Sequence, residues 1–412
     1  MVQRMEEMGL IAVERRVASH AAEGTLDVAL KPAVSLIACL ASVAWLPAGT
    51  AARAQERTAQ SIVDGVVDAV CQKQIVLLGE LPTHGEAHAF DARSKIADRL
   101  IARCGFTAML FEAGIYDFIG LERAAGARTA TPEQLDNAVG RFWWTRELAP
   151  WRRTLFEAAT RQRVLVGGID DQVSITSQYA KATLPLLIAA AGSESTATEC
   201  RQTVSRHLGW TYDARNPFDE PEQLRLQQCA RHAADAAAAN RSLDAADRVM
   251  LESFARYVDR RRLGVRSGRD ESMYRNLVWY LERLPANSRV VVWTATVHAA
   301  RQRGSLPDVP LGARLVERWG DRVGAVGFTA YAGYTSMAGL PASPIPDAPP
   351  DSLEATATKA SAWALLDAAK LRAIGRVPSR LLGTFTSDTW SDYFDAVVVI
   401  RQEVAPTFDP WK

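Results

Sequence analysis

Most of the short signatures that name a chemistry are missing from this 412-residue chain. It has no G-x-S-x-G turn, which excludes the usual serine-hydrolase elbow. It has no G-x-x-x-x-G-K-[ST] loop and no strand-linked G-x-G-x-x-G, so nucleotide phosphates lack their customary cradle. The H-E-x-x-H order of metallopeptidase helices is absent too. Charge is balanced, 48 Lys and Arg against 47 Asp and Glu, with no like-charge block and no stripe of basic and aromatic residues. Nucleic acid and acidic partners therefore lose their electrostatic basis. Histidine and cysteine are sparse, six and five residues, so each can be weighed singly. What remains is ordinary globular material, 48% apolar and 23% charged, enough for a large core.

The first stretch reads as separate from the fold. Lys31 precedes an apolar run over 33–46, followed by Pro47, Gly49 and Ala52-Arg53-Ala54 before Gln55. Charged flank, apolar middle and A-x-A exit make a secretory signal, and the run is short for a membrane span. Residues 1–54 are thus expected to be a signal peptide with an upstream extension. Residues 55–412 are expected to form one domain, periplasmic or secreted, with no stable membrane span once the signal is removed. The alternatives are an uncleaved anchor, or lipid attachment at Cys39, where Leu36-Ile37-Ala38-Cys39 fits a lipobox loosely. Beyond the signal lie Cys71, Cys104, Cys200 and Cys229, an even number that suits disulfides in an exported chain. Cys71 and Cys104 each precede a predicted strand, and adjacency of those strands favours that pair, leaving Cys200 with Cys229. Free buried thiols are the alternative.

Six β-type runs stand out, at 75–79, 107–111, 164–169, 289–293, 324–329 and 396–400, by their β-branched content and length. Helix-period segments separate them, so the expected fold is α/β: three layers, a mostly parallel sheet of about six strands, helices on both faces. Residues 174–288 are too long for a simple crossover and are read as a large helical insertion over the sheet. The Pro-rich stretch 340–351 is read as a surface loop.

Ionisable residues follow several of these runs. The first delivers Glu80 and then His84, the second Glu112, the third Asp170 and Asp171, the fourth Trp293 and then His298. Parallel sheets bind ligands beyond the carboxyl ends of their strands, so these groups converge on one rim. Any single acid there, Asp170 included, can instead be only a helix N-cap. With no side-chain nucleophile in evidence, water is the expected nucleophile, activated by His84 as base. Glu80 or Glu112 fixes the tautomer, and Arg93 on the next helix holds an oxyanion or a carboxylate, with that helix's N-terminus adding positive charge nearby. A metal reading competes, since His84 and His88 are spaced four apart with Glu86 or Glu112 nearby; Pro82 and Gly85 argue against helical spacing there, and no metal or cofactor is assigned. His207 and His232, in the insertion, are read as packing or surface residues. Trp143, Trp144 and Trp151 are core packing or the wall of an apolar pocket.

Taken together, these motifs resemble the erythromycin esterase family. The matching stretches are GE-x-THG after the first strand, GFTAMLFEAG, WTREL from Trp144, GGIDDQ, RDESMYRN with Arg269 and Asp270, VVVW, LGARLVERWGDRVGAVGFTAYAG and the terminal DYFDAVVVI. The resemblance implies an ester or lactone hydrolase without an essential metal. It places His84 as general base, Glu80 and Glu112 as the motif glutamates, and Arg93 and Arg269 as active-site arginines, with His298 supporting. Asp170, Trp144 and Trp293 are expected to contact a small-molecule ester or lactone substrate. Two departures stand out. GELPTHG carries one residue more between Glu and His than the family's motif. The family's W-x-H-N-x-H reads Trp293-Thr-Ala295-Thr296-Val-His298, so a histidine and an asparagine are replaced. Macrolide hydrolysis, and with it a part in macrolide resistance, is therefore not expected to follow automatically. The competing functions are a haem or small-ligand binder on the same scaffold and a metal-dependent hydrolase or peptidase.

Overall fold

The computed structural model describes residues 48–412 apart from 175, 192–193, 263–266 and 409–412. The expected leader falls on 1–54, so all of it up to residue 47 lies outside the described residues; residues 48–54 open a helix. The chain divides into two compact units, Met1–Ala54 and Gln55–Lys412, and everything below concerns the second.

An eight-stranded sheet runs through it. Strands β1 (Ile75–Glu80), β2 (Phe106–Gly114), β3 (Leu165–Asp170), β4 (Arg289–Ala295) and β5 (Val323–Thr335) come first. They are followed by β6 (Ser343–Ile345), β7 (Trp363–Asp367), β8 (Arg376–Ser379), β9 (Thr386–Thr389) and β10 (Ala396–Glu403). The order is β3-β2-β4-β1-β5-β10-β7, with β6 beside β5 and β8 and β9 in a separate hairpin. All six foreseen strands are present and mutually parallel. β7 adds an antiparallel edge, and β6 occupies part of the expected Pro-rich loop. These late strands are short and mixed in polarity, so they carried no period-2 signal to read.

The alternation along β1 explains the layering. Ile75 and Leu77 join one apolar cluster, Val76 and Leu78 the other, and all four are fully buried. Side chains of a strand alternate between faces, so a strand covered on both sides is apolar at every position. One face is covered by helix α2 (Ala87–Cys104) and by the part of α1 (Ala48–Val70) from Ile62 onward, the other largely by the insertion. That insertion comprises α6 (Tyr179–Ala191), α7 (Glu194–Gly209), α8 (Glu220–Ala239), α9 (Ala245–Arg262) and α10 (Arg269–Arg283). It follows α3 (Ile115–Gly126), α4 (Pro132–Val139) and α5 (Ala149–Thr160) in the chain. Having left the sheet at edge strand β3, the chain crosses one face in these five helices and re-enters as β4, in the slot between β1 and β2. Thereafter it passes to the other side of β1 as β5. This reversal makes the carboxyl ends of β1 and β4 the topological switch point of the sheet.

Both foreseen disulfides are present, Cys71–Cys104 and Cys200–Cys229. The reason given for the first needs correcting: β1 and β2 are not adjacent, because β4 lies between them. The two cysteines meet because α1 and α2 end side by side. Arg289, first residue of β4, donates from Nη1 to the carbonyls of Cys71 and Cys104, each at 2.7 Å. The second bridge joins α7 to α8. Among the described residues no helix is long and apolar enough to cross a membrane.

Candidate active site

Glu80 ends β1, and Glu112 lies two residues before the end of β2, on opposite faces of the sheet. Glu80 continues the series Val76, Leu78 on the α2 side, and Glu112 continues Ala108, Leu110 on the insertion side. Between them stands the end of β4. His84 spans the gap above it: Nδ1 lies 2.7 Å from Glu80 Oε1, and Nε2 lies 3.8 Å from Glu112 Oε1. The first is a hydrogen bond and the second is too long for one.

A tight turn puts the imidazole there. His84 N donates to Leu81 O at 3.0 Å, and His84 takes φ 50°, a left-handed conformation that costs a non-glycine residue energy and clusters at functional sites. Gly85 follows because its backbone touches Ser336, which a Cβ would approach within 2.1 Å of the carbonyl oxygen. Glu86 ties the turn down by accepting from Thr83 Oγ1, from Gly85 N at 3.2 Å and from Thr335 Oγ1 at 2.7 Å. Its burial pushes the carboxyl up to about 7.

Glu80 is wholly buried and saturated. Besides His84 it accepts from Trp143 Nε1 at 2.8 Å, Trp293 Nε1 at 3.3 Å and Arg93 Nη1. Arg93 is itself fully buried, lies 3.9 Å from the centre of the Trp293 ring, and donates to Leu78 O and Thr294 O. Burial lowers its guanidinium to about 10. Of the two partners expected for Arg93, an oxyanion or a carboxylate, the fold supplies a carboxylate, that of Glu80, and backbone carbonyls wall the guanidinium off. Trp293 was expected to meet substrate, yet it is completely buried beneath the site and stacks on Trp151 at 5.0 Å. Trp144 is half-buried, and its neighbour Trp143 is the ring that reaches the carboxylate. Nothing in two adjacent tryptophans tells which one a loop will turn inward.

Glu112 has different company. Its Oε2 accepts from Thr294 Oγ1 at 2.7 Å and Ala295 N at 2.8 Å; its Oε1 accepts from Arg269 Nη2 at 2.9 Å and lies 3.3 Å from His298 Nε2. Burial works against its charge, but His298, Arg269 and His84 outweigh it and hold the carboxyl well below the usual range. Arg269 Nε also donates to Asp170 Oδ2 at 3.1 Å, so Asp170, expected on substrate, is occupied by the arginine. Desolvation opposes the Asp170 anion, and Arg269 nonetheless lowers its pKa. Asp171, next along, pairs with Arg260 of the insertion.

His298 sits on α11 (Thr296–Ala299), directly after β4. Its Nδ1 is 2.8 Å from Asp270 Oδ1. Burial disfavours the imidazolium, but Glu112 and Asp270 override it and raise the pKa to about 10. His84 is raised as well: desolvation pulls it down, and Glu112, Glu80 and Glu86 more than compensate. Asp270 had been noticed only as part of RDESMYRN; opening a helix beside Arg269, it offered no spacing that pointed at a histidine.

One sequence expectation about the surroundings does not hold. The N-terminus of α2 does not face the site, because the amides of His88 and Ala89 are taken by Glu403 of β10 at 3.1 and 3.0 Å. His88, the partner of His84 in the competing metal reading, lies in the first turn of α2, where its Nδ1 meets Gln402 O at 3.0 Å. His207 is buried among Trp210, Tyr212, Phe218, Phe254 and Tyr257. Burial and nearby Arg261 drop its pKa to about 3. His232 is exposed. Among the described residues, no group of three or more His, Cys, Asp or Glu side chains is arranged to hold a metal ion.

Fold and site define an α/β protein with a cluster of charged side chains at the switch point of a mostly parallel sheet. The sequence model of the erythromycin esterase family matches residues 101–403, and the chain belongs to that family. The matched span begins after Glu80, His84 and Arg93, whose place in the site therefore rests on the geometry above. Among curated proteins nothing matches the chain. A solved Bacillus cereus protein is similar at 16% identity and TM-score 0.64, covering 84% of this chain and 93% of its own. A succinoglycan biosynthesis protein aligns at 14% identity and TM-score 0.64, covering 87% and 99%. The erythromycin esterase EreC, a point mutant in its open conformation, aligns at 17% identity and TM-score 0.58, covering 82% and 93%. These likenesses establish a shared fold.

Proposed function

We propose that the protein hydrolyses a carboxylic ester or lactone by water attack, with His84 as general base. The observation that carries this reading is the chain Glu80–His84–Glu112 across the end of β4. Glu80 holds Nδ1–H, so the lone pair of the neutral ring is on Nε2, the atom free of a short hydrogen bond and closest to Glu112. An anchored imidazole of this kind takes a proton from water near neutral pH. Arg93 serves by positioning Glu80. Arg269, whose side chain is 25% exposed, and His298, 13% exposed, are the cations that face developing negative charge at the carbonyl. Preorganised donors of this type act at the transition state without reorganising. The substrate is a small molecule. Trp144 remains the candidate wall residue.

Ala295 bears on which ester. It is buried, and its amide binds Glu112, but it supplies no side-chain donor where the family motif carries a histidine. Loss of one transition-state donor costs about 10²–10³ in rate, so a macrolide is not assigned as substrate. The two disulfides support an exported protein, in keeping with a leader over 1–54. A panel of lactones and esters assayed with wild type and His84→Ala tests the reading. The expected result is hydrolysis of at least one member that disappears in the variant; equal turnover by both proteins would sink it.

A further inference from the structure

We infer that Asp270 is a positioning residue that holds His298 as a doubly donating imidazolium, so that His298 serves the reaction as a fixed hydrogen-bond donor and never as a base. The inference rests on the hydrolytic reading for its catalytic consequence, and on the structure alone for the protonation state.

Asp270 and Arg269 open helix α10 and divide the work between them. Arg269 turns to Glu112 and Asp170, while Asp270 Oδ1 lies 2.8 Å from His298 Nδ1. The same oxygen accepts from Leu311 N at 2.7 Å, which begins helix α12 (Leu311–Trp319), so the carboxylate is anchored from a second element. A carboxylate held this way fixes ring orientation and requires a proton on Nδ1. On the other side of the ring, Nε2 lies 3.3 Å from Glu112 Oε1 on β2, which calls for a proton there as well. Arg269 Nη1 also lies 3.3 Å from Nε2. That contact between cations is outnumbered by three carboxylates, Glu112, Asp170 and Asp270. His84, the remaining titratable group, sits across Glu112 on the loop after β1.

In the proposed hydrolysis the bookkeeping of protons then closes without His298. Water oxygen bonds to the carbonyl carbon as His84 Nε2 takes one water proton. The tetrahedral oxyanion collapses, the acyl C–O bond breaks, and the proton on His84 passes to the leaving alkoxide. His298 only donates a hydrogen bond throughout, and Asp270 keeps that donor charged.

The test is Asp270→Asn in the full chain. The amide oxygen still caps Leu311 N, and a wild-type circular dichroism spectrum with a single cooperative melt, at a lower temperature because the raised His298 titration is lost, shows the fold is kept. Imidazole nitrogen NMR follows His298, assigned with His298→Asn, through pH 5–10. The expected result is a His298 titration about one to three pH units lower in the variant. With an ester substrate, kcat/KM should acquire a new alkaline limb at that same pH. An unchanged His298 titration, or a uniform loss of rate at every pH, would overturn the proposal. If wild type cleaves no ester, the hydrolytic reading fails, and the NMR titration still decides the role of Asp270.

Discussion

Two glutamates lie at or near the carboxyl ends of two nearby strands of one sheet, and their surroundings could hardly differ more. Glu80 is enclosed on the α2 face by two tryptophan N–H groups and a buried arginine stacked on an indole ring. Glu112 meets Thr294 and Ala295 behind and two partly exposed cations in front. The first carboxylate is a dry anchor whose free direction points only at His84. The second carries the charge of the site. The same residue type near the carboxyl end of a strand thus does two jobs, because strand parity sends one to a sealed face and the other to a face that opens.

The comparison can be broken most severely at His84, which belongs to both halves. His84→Ala should reduce kcat by about 10²–10⁴, measured on whichever ester the panel identifies, with the fold intact by circular dichroism. Next comes the contrast between the arginines. Arg93→Met leaves a buried, unpaired Glu80 and should cost about 3–5 kcal/mol of stability in a denaturant titration. Arg269→Met, at a site open to solvent, should lower kcat far more than it lowers the melting temperature. If the two variants lost stability equally, the distinction between anchor and charge carrier would be wrong.

A pH profile sharpens the same point. Because His84 must be neutral to accept a proton and its pKa is raised above 6.5, the acid limb of kcat/KM should lie above that value. Stability follows the raised groups in the opposite sense. The contribution of protonated His298 is complete below its unfolded pKa of 6.5 and is lost as pH rises through about 10, so the melting temperature should fall over that interval, and less so in His298→Asn. The smallest effect is expected at Trp143→Phe, which removes one hydrogen bond to a charged group, about 1.5–3 kcal/mol, and should leave the acid limb in place.

Much of this was readable in advance, and the limits are physical. The six central strands were visible because a strand covered on both faces is apolar throughout; β6 to β9 are short and lie at edges or outside the main sheet, where composition does not betray them. Glu80, His84 and Glu112 were found because they follow apolar runs immediately. Trp143 was read only as core packing or a pocket wall, and Asp270 was given no role of its own, since a loop's twist and a helix's docking angle leave no mark in spacing. Arg93 was located on its helix but left between an oxyanion and a carboxylate, because a buried arginine and a substrate-facing one look alike until the carbonyls around it are known.

Order of residues along the chain dictated that there would be a parallel sheet, a helical excursion after its third strand, and acids and histidines at strand ends, because those follow from periodicity and from nearest neighbours. Assembly in three dimensions decided the rest. Only the return of the chain as β4 between β1 and β2 puts 80 and 112 on either side of one imidazole, and only packing determines which polar groups are sealed and which meet water. Those outcomes depend on contacts between segments hundreds of residues apart, which no local pattern encodes.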